Sequence, residues 1–504
     1  VRQNFCLVIE DRARQTRIKN DVVRSSELPS KIVRVRTSVA GRSDGRSTAL
    51  LGDNMSPQSS IHEHAFRIFC FSWLWLSVST AAFVDVFVFA KTRRDIVTAT
   101  EEFALSPSMR ASIYSAFYLG WLFGDPFFGW ISDLWGRHPA VYSSCLLGFM
   151  FQAGCALAVG PYSLFTLRFV AGLCMGGADL VGLVYALELS LSSQRATTGA
   201  IMQTFFACGL CLAAAIAVVF PSWRQMYLAG TVPAGLFMLS RFWIPESPKW
   251  LAAQLRTGKM KGSEKLSHSH AENADQHRSL LNITEAVPDD SEKGEGKRDS
   301  SNLGGAEEDL SYSALLANAD TSRLLVLVCV PWLASGFLYY GITLSAGSIS
   351  KEIHLNMFLM GIVEIPGYIG ATYMSDTLGR KITFISLTCV SAFFCLISWS
   401  YPEKGGRLLF ALVGKIFASG AFGIIWVWSP EMFPTSARSL TTAIGSQAAR
   451  VGSILAPYVV VIMSEMTDAT HANAPLPQPV FAAVALVASV FCLWLPETSN
   501  TEMM

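Results

Sequence analysis

SDLWGR at 132–137 and SDTLGR at 375–380 are one pattern, Ser-Asp-x-x-Gly-Arg, met twice, and each copy closes a long apolar run. Asp133 and Asp376 stand 243 positions apart. So do Glu188 and Glu431, which open ELSLSSQR and EMFPTSAR, and so do Arg195 and Arg438, which end those stretches. A looser echo, PESPKW at 245–250 against PETSNT at 496–501, closes both segments. One match is coincidence. A set of matches at one offset marks a duplicated segment, and the chain reads as two halves of common origin.

Working outward, each half is built of apolar runs. They fall near 66–90, 109–132, 139–160, 162–187, 196–220 and 223–244, then near 321–346, 354–375, 380–400, 407–429, 438–464 and 478–495. Stretches of about 20 apolar residues are long enough to cross a bilayer as helices. The composition agrees: 51% of residues are hydrophobic, 15% are charged and mean hydropathy is +0.37, whereas a soluble domain carries about 25% charged residues. The expected fold is an all-α membrane protein with twelve transmembrane helices in two pseudo-symmetric six-helix bundles. The expected division is a disordered basic tail (1–60), the first bundle (61–245), a polar linker (246–320), the second bundle (321–496) and a short tail (497–504). Parallel repeats of this kind enclose a site between the halves.

Several classes are disfavoured. A net charge of +1 gives no reason to expect nucleic acid. Most of the 11 cysteines lie inside apolar runs and read as small buried residues. Cys208 and Cys211 make a CxxC inside an apolar run, but there is no Cys/His metal spacing, and no nucleophile–base motif or phosphate loop. The chain is expected not to be an enzyme and to need neither cofactor nor metal. Lys and Arg in the short loops set orientation. Arg137, Arg195, Arg380 and Arg438 put four loops on one side, taken as cytoplasmic together with both termini and the linker, against one dissenting KTRRD at 91–95.

The repeated residues suit helix ends. Gly136 and Gly379 permit a tight turn after Asp133 and Asp376. Arg137 and Arg380 are placed to pair with an acid at a neighbouring helix end, where partial dehydration strengthens the contact. Glu188 with Arg195, and Glu431 with Arg438, repeat that arrangement. Together with Glu246 and Glu497 these residues form a candidate gating latch; the alternative is simple helix-end pairing.

GWISDLWGRHPAV and SDTLGRK resemble the signature loops of the major facilitator superfamily, and RFVAGLCMGG from Arg168 resembles its fourth-helix motif. PESPKWL, the terminal PET and SPEMFPTSARSL are similar to the organic cation, anion and carnitine transporters of that superfamily, as are FLYYG at 337–341 and VEIPGY at 363–368. AARVGSILAPY at 448–458 puts Arg450 where the anion and carnitine branches carry an arginine, and Tyr368 stands where the anion branch tends to have lysine. Departures are Leu134 in place of the first signature's arginine, only the segment 91–108 where the family has a large outer loop, and Asp125–Pro126 where small apolar residues are usual. The resemblance implies alternating access. It also implies a cavity lined by Tyr339, Tyr340, Trp426 and Gln203, with Arg450, Glu364 and Tyr368 as further substrate contacts.

Charge inside a membrane costs roughly 2.5–3.5 kcal/mol per residue, and the apolar runs contain Asp85, Asp125, Arg168, Asp179, Glu364, Lys415 and Arg450. They must face water or one another. Arg450 either grips a substrate carboxylate bidentately or forms an internal bridge, with Glu364 one partner. Glu364, ahead of a proline, is placed to meet a substrate cation or a coupling ion. Asp85, Asp179 and Arg168 are coupling-ion candidates; Asp85 alternatively sits at a helix end near the outer surface. The expected partner is a small organic ion, best a carnitine- or betaine-like zwitterion or an organic anion. A proton or sodium is the expected co-substrate, in a monomer of the plasma or an internal membrane. The rivals are an organic-cation or sugar porter, and a membrane sensor or vesicle protein that keeps the fold without transporting.

Overall fold

The structure, a computed structural model, describes residues 57–90, 98–190, 194–256, 319–349, 352–433, 435–470 and 477–499. The expected tails and linker, apart from their edges, and the KTRRD loop lie outside the described residues. The first half comprises α1 (Pro57–Phe83), α2 (Asp85–Val88), α3 (Ala99–Glu102), α4 (Pro107–Trp135), α5 (Arg137–Gly154), α6 (Pro161–Leu189), α7 (Arg195–Val219), α8 (Trp223–Leu239) and α9 (Pro248–Arg256). The second comprises α10 (Ala319–Ile349), α11 (Ile353–Ile362), α12 (Glu364–Leu378), α13 (Arg380–Ser400), α14 (Lys404–Glu431), α15 (Thr435–Thr470) and α16 (Gln478–Cys492).

A helix occupies each of the twelve apolar runs. Nine spans among the described residues are long and apolar enough to cross a membrane. The other three runs fall outside that count for visible reasons. α4 carries Arg110, Asp125 and Asp133, and α8 and α16 have 17 and 15 residues. Large apolar side chains such as Phe123, Trp130, Tyr373 and Phe393 stand exposed, which suits hydrocarbon and not water.

Two of the runs break at an acid. The first run stops at Phe83 and restarts at Asp85; the eighth stops at Ile362 and restarts at Glu364. Pro366 accounts for the second break, because its ring clashes with the carbonyl four residues earlier and it donates no N–H. The first break has no proline to explain it.

Within each half the packing repeats. α4 lies on α6 as α12 lies on α14, and α1 on α7 as α10 on α15. The halves meet where α4 crosses α15 and where α7 crosses α11. α4 and α15 run antiparallel: Arg110 Nη2 reaches Glu465 at 2.7 Å, Ser112 meets Tyr458 at 3.1 Å, Ser115 donates to the Ile454 carbonyl at 2.7 Å and Asp125 meets Gln447 at 3.1 Å. The C-terminal end of α4, with Asp133, is therefore level with the start of α15. Glu431 at the end of α14 is at that same level and binds Arg380, next to Asp376. Both signature loops thus lie on one face.

Small residues let helices approach closely. A Cβ at Gly120 would collide with the Phe169 carbonyl, and one at Gly172 with the Phe117 carbonyl. Overpacking costs about 1–3 kcal/mol. Gly172→Ala is expected to lower the temperature at which the protein loses its monodisperse size-exclusion peak. Gly199→Ala in α7, where a Cβ meets nothing within 4 Å, should leave it unchanged.

Candidate functional site

At the signature-loop face both halves build the same device. Gly136 (φ 106°) and Gly379 (φ 90°) take left-handed turns that bring a helix N-terminus against a glutamate. Glu246 accepts the backbone N–H groups of Arg137 (2.9 Å) and His138 (3.1 Å), and Glu497 those of Arg380 (2.9 Å) and Lys381 (3.1 Å). A side chain at Gly379 would sit 2.8 Å from Glu497 Oε2. The Arg137 side chain meets Asp133 at 2.5 Å and Glu188 at 3.3 Å; Arg380 meets Asp376 at 3.5 Å and Glu431 at 3.2 Å. Ser247 donates to Glu188 at 2.5 Å, and Thr498 to Glu431 at 2.6 Å.

Here the structure corrects the sequence reading. Glu188 and Glu431 are held by the signature arginines, not by Arg195 and Arg438. Arg438 donates instead to the Phe433 carbonyl at 3.5 Å. Arg137 and Arg380 approach these acids across the helix pair. Each network also braces a single half.

The membrane charges resolve into three groups. In the first, Arg168 Nη2 and Asp85 Oδ2 are 2.6 Å apart and both are sealed from solvent. Tyr227 donates to Asp85 at 2.7 Å, Arg168 donates to Gln152 at 2.6 Å, and the guanidinium lies over Phe117. Asp85 is thus not a surface residue: at 1% exposure it is bound inside the first half. In the second group Lys415 Nζ is 2.9 Å from Glu364 Oε1, both fully buried. Tyr339 and Tyr368 donate to Glu364 Oε2 at 2.8 and 3.3 Å, and Lys415 also donates to the Tyr339 carbonyl at 3.1 Å.

The third group crosses between the halves. Arg450 of α15 faces Asp125 of α4 (3.7 Å) and Asp179 of α6 (3.6 Å), and its guanidinium rests 3.9 Å from the centre of the Trp121 ring. Arg450 Nη1 donates to Tyr340 at 3.3 Å, and Gln447 donates to Asp125 Oδ2 at 3.1 Å. The partners of Arg450 are therefore Asp125 and Asp179 and not Glu364, which Lys415 occupies. Among the described residues Arg450 Nε, Asp125 Oδ1 and Asp179 Oδ1 have no hydrogen-bond partner.

Beside this group is a small cavity, partly continuous with solvent. The first half supplies Trp75, Trp121, Asp179, Gln203 and Phe206; the second supplies Tyr339, Tyr340, Phe422, Trp426 and Arg450. Of the sequence-derived substrate contacts, Arg450, Tyr339, Tyr340, Trp426 and Gln203 line it. Glu364 and Tyr368 are not among the lining residues. Asp179, proposed from sequence for a coupling ion, is in the wall, while Asp85 and Arg168 are not. Sequence reasoning missed Trp75, Trp121, Phe206 and Phe422, for which no signal distinguished them from packing aromatics. It assigned no role to Asp125 and Lys415, although their charge inside apolar runs was signal enough.

Residues 65–504 match the family described as sugar (and other) transporter. The chain belongs to that family, within the major facilitator superfamily. It is 31% identical over 397 residues to the organic cation/carnitine transporter 4 of Arabidopsis thaliana, covering 78% of this chain and 72% of that protein. It is 30% identical to the organic cation transporter protein of Drosophila melanogaster, covering 78% and 70%. The crystal structure of a D-xylose-proton symporter superposes with a TM-score of 0.63 at 16% identity, covering 88% of this chain and 99% of the other. The chain is thus a multi-pass integral membrane protein and a transporter of the major facilitator type.

Four backbone N–H groups hold the Glu497 carboxylate below its usual range, although burial acts to raise it. A depressed value means that its stabilisation is present above the ordinary carboxylate range and is lost as pH falls through the lowered value. Glu497→Gln should lower the thermal midpoint at neutral pH. The gap from wild type should close as the pH is taken below that range.

Proposed function

We propose that the protein carries a small onium zwitterion, of the betaine or carnitine kind, by alternating access of its two halves. The observation that supports this most is the placing of Asp179 and Arg450 in one aromatic wall. Each has a polar atom to spare. Aromatic faces attract ammonium groups, so Trp75, Trp121, Trp426 and Tyr339 suit a quaternary or protonated amine, with Asp179 as its counter-charge. Arg450 suits a carboxylate. Glu364, ion-paired with Lys415 and accepting from Tyr339 and Tyr368, supports the wall and does not receive the cation. The relatives named for organic cations and carnitine agree with this reading.

A second reading, an organic cation without a carboxylate, is favoured by one count: two acids face a single arginine, so the cluster is formally negative. A sugar porter gains only the family's breadth. On the proposed reading the signature-loop face, with both termini, is cytoplasmic, following the positive loops, and the host is the plasma membrane. The repeated networks of Arg137 and Arg380 keep each half rigid while the halves rock.

Uptake into proteoliposomes should be inhibited by carnitine and glycine betaine, less by tetraethylammonium, and not by hexoses. A protein that binds these ligands without flux would be a sensor. Losing a charge-assisted contact is worth about 1.5–3 kcal/mol, or about 10- to 150-fold. Arg450→Ala should cost that factor in kcat/KM for the carboxylate-bearing substrates while tetraethylammonium is affected far less. Equal losses for both would remove Arg450 from carboxylate recognition.

A further inference from the structure

We propose that Asp125 is a proton-binding site that decides whether Arg450 is free to take a substrate carboxylate. This deepens the zwitterion reading and rests on it for the identity of the ligand. The charge count motivates it. Asp125, Asp179 and Arg450 together carry one net negative charge, in a place where Asp125 is 3% and Arg450 6% exposed. A zwitterion adds one charge of each sign: Asp179 answers its ammonium, which leaves its carboxylate and Asp125 to compete for the single guanidinium among aromatic walls of low dielectric, an arrangement strongly disfavoured unless Asp125 is neutralised. One proton removes the excess.

The geometry selects which acid takes it. Asp179 lines the cavity and must stay ionised to balance the ammonium end. Asp125 meets the guanidinium at Nε, Asp179 meets it at Nη2, and Asp125 is not among the lining residues. Its Oδ2 receives the Gln447 N–H at 3.1 Å and its Oδ1 has no partner among the described residues. The two acids share Arg450 at 3.7 and 3.6 Å, longer than the 2.7–2.9 Å of a charge-assisted hydrogen bond. Arg450 is therefore held by attraction from both sides but locked by neither. The other titratable neighbours do not supply the missing charge. Tyr340 accepts from Arg450 and packs on Tyr118, while Asp85–Arg168 and Glu364–Lys415 are each neutral as pairs. A metal ion is the wrong neutraliser, because the guanidinium beside both carboxylates repels it.

In the proposed step a proton leaves a hydronium ion of the water reaching the cavity and forms an O–H bond on Asp125. Arg450 then transfers its attraction to the incoming carboxylate. On release the proton returns to water. Since Asp125 and Asp179 belong to one half and Arg450 to the other, the same event loosens the charge bridge between the halves.

The test uses the purified full chain in nanodiscs. An infrared difference spectrum between acid and alkaline pH should show a protonated-carboxyl band that Asp125→Asn removes. If Asp125→Asn does not fold, Asp125→Glu should keep a titrating band at a shifted frequency. In parallel, glycine betaine should bind wild type about tenfold more tightly per unit fall in pH, as expected for one linked proton. Tetraethylammonium should show no such gain, and betaine binding to Asp125→Asn should be tight and independent of pH. A band unchanged by Asp125→Asn, or unshifted in Asp125→Glu, overturns the proposal whether or not either probe binds. Failure of wild type to bind either probe counts against the zwitterion reading alone.

Discussion

A charge inside a bilayer has to be answered by another charge, and the arrangement of this protein follows from how its seven are answered. Two pairs, Asp85–Arg168 and Glu364–Lys415, are neutral, short and sealed within one half each. Removing one partner of such a pair costs about 3–5 kcal/mol, so both serve as fixed points inside their own bundle. The remaining three charges do not cancel, are held at longer range and span the two bundles. The unbalanced group is the one that borders the cavity. On the proposed reading a ligand able to complete its charge binds there, and a change in that charge acts on both halves at once.

The duplicated framework makes that asymmetry possible. Glu246 and Glu497 cap corresponding helices, Arg137 and Arg380 hold corresponding acids, and Ser247 and Thr498 close corresponding hydrogen bonds. The scaffold is thus symmetric at the signature-loop face, with each network braced within its own half. The cavity is not symmetric. The position in the second half that corresponds to Asp125 is Tyr368, and it donates to Glu364 instead of bridging the halves. Copying supplied two stiff bundles, and divergence at a few inward positions supplied the site.

How far the sequence carried the reading follows from what each signal encodes. Periodic apolar runs and a common offset of 243 residues are one-dimensional facts, and they led directly to helices in the right places and to the paired turns at Gly136 and Gly379. Depth is also nearly one-dimensional, which is why Arg450 was recognised as central. Partner choice is not. Whether Arg450 meets Glu364 or Asp125 depends on which faces of α4, α12 and α15 are turned inward, and spacing along the chain does not contain that angle. Arg195 and Arg438 show the same limit, since nearness in sequence suggested pairs that the helix-to-helix approach of Arg137 and Arg380 replaced. The break at Glu364 was legible through Pro366. The break at Asp85 had no local residue to announce it.

The central claim is that the unbalanced group, and not either neutral pair, receives the substrate. An electron cryomicroscopy structure in nanodiscs with a bound zwitterion tests it most directly. The account predicts the carboxylate on Arg450, the ammonium among Trp121, Trp426 and Asp179, and Asp85–Arg168 and Glu364–Lys415 still joined. A ligand seated on either neutral pair, with Arg450 still shared between Asp125 and Asp179, would contradict it.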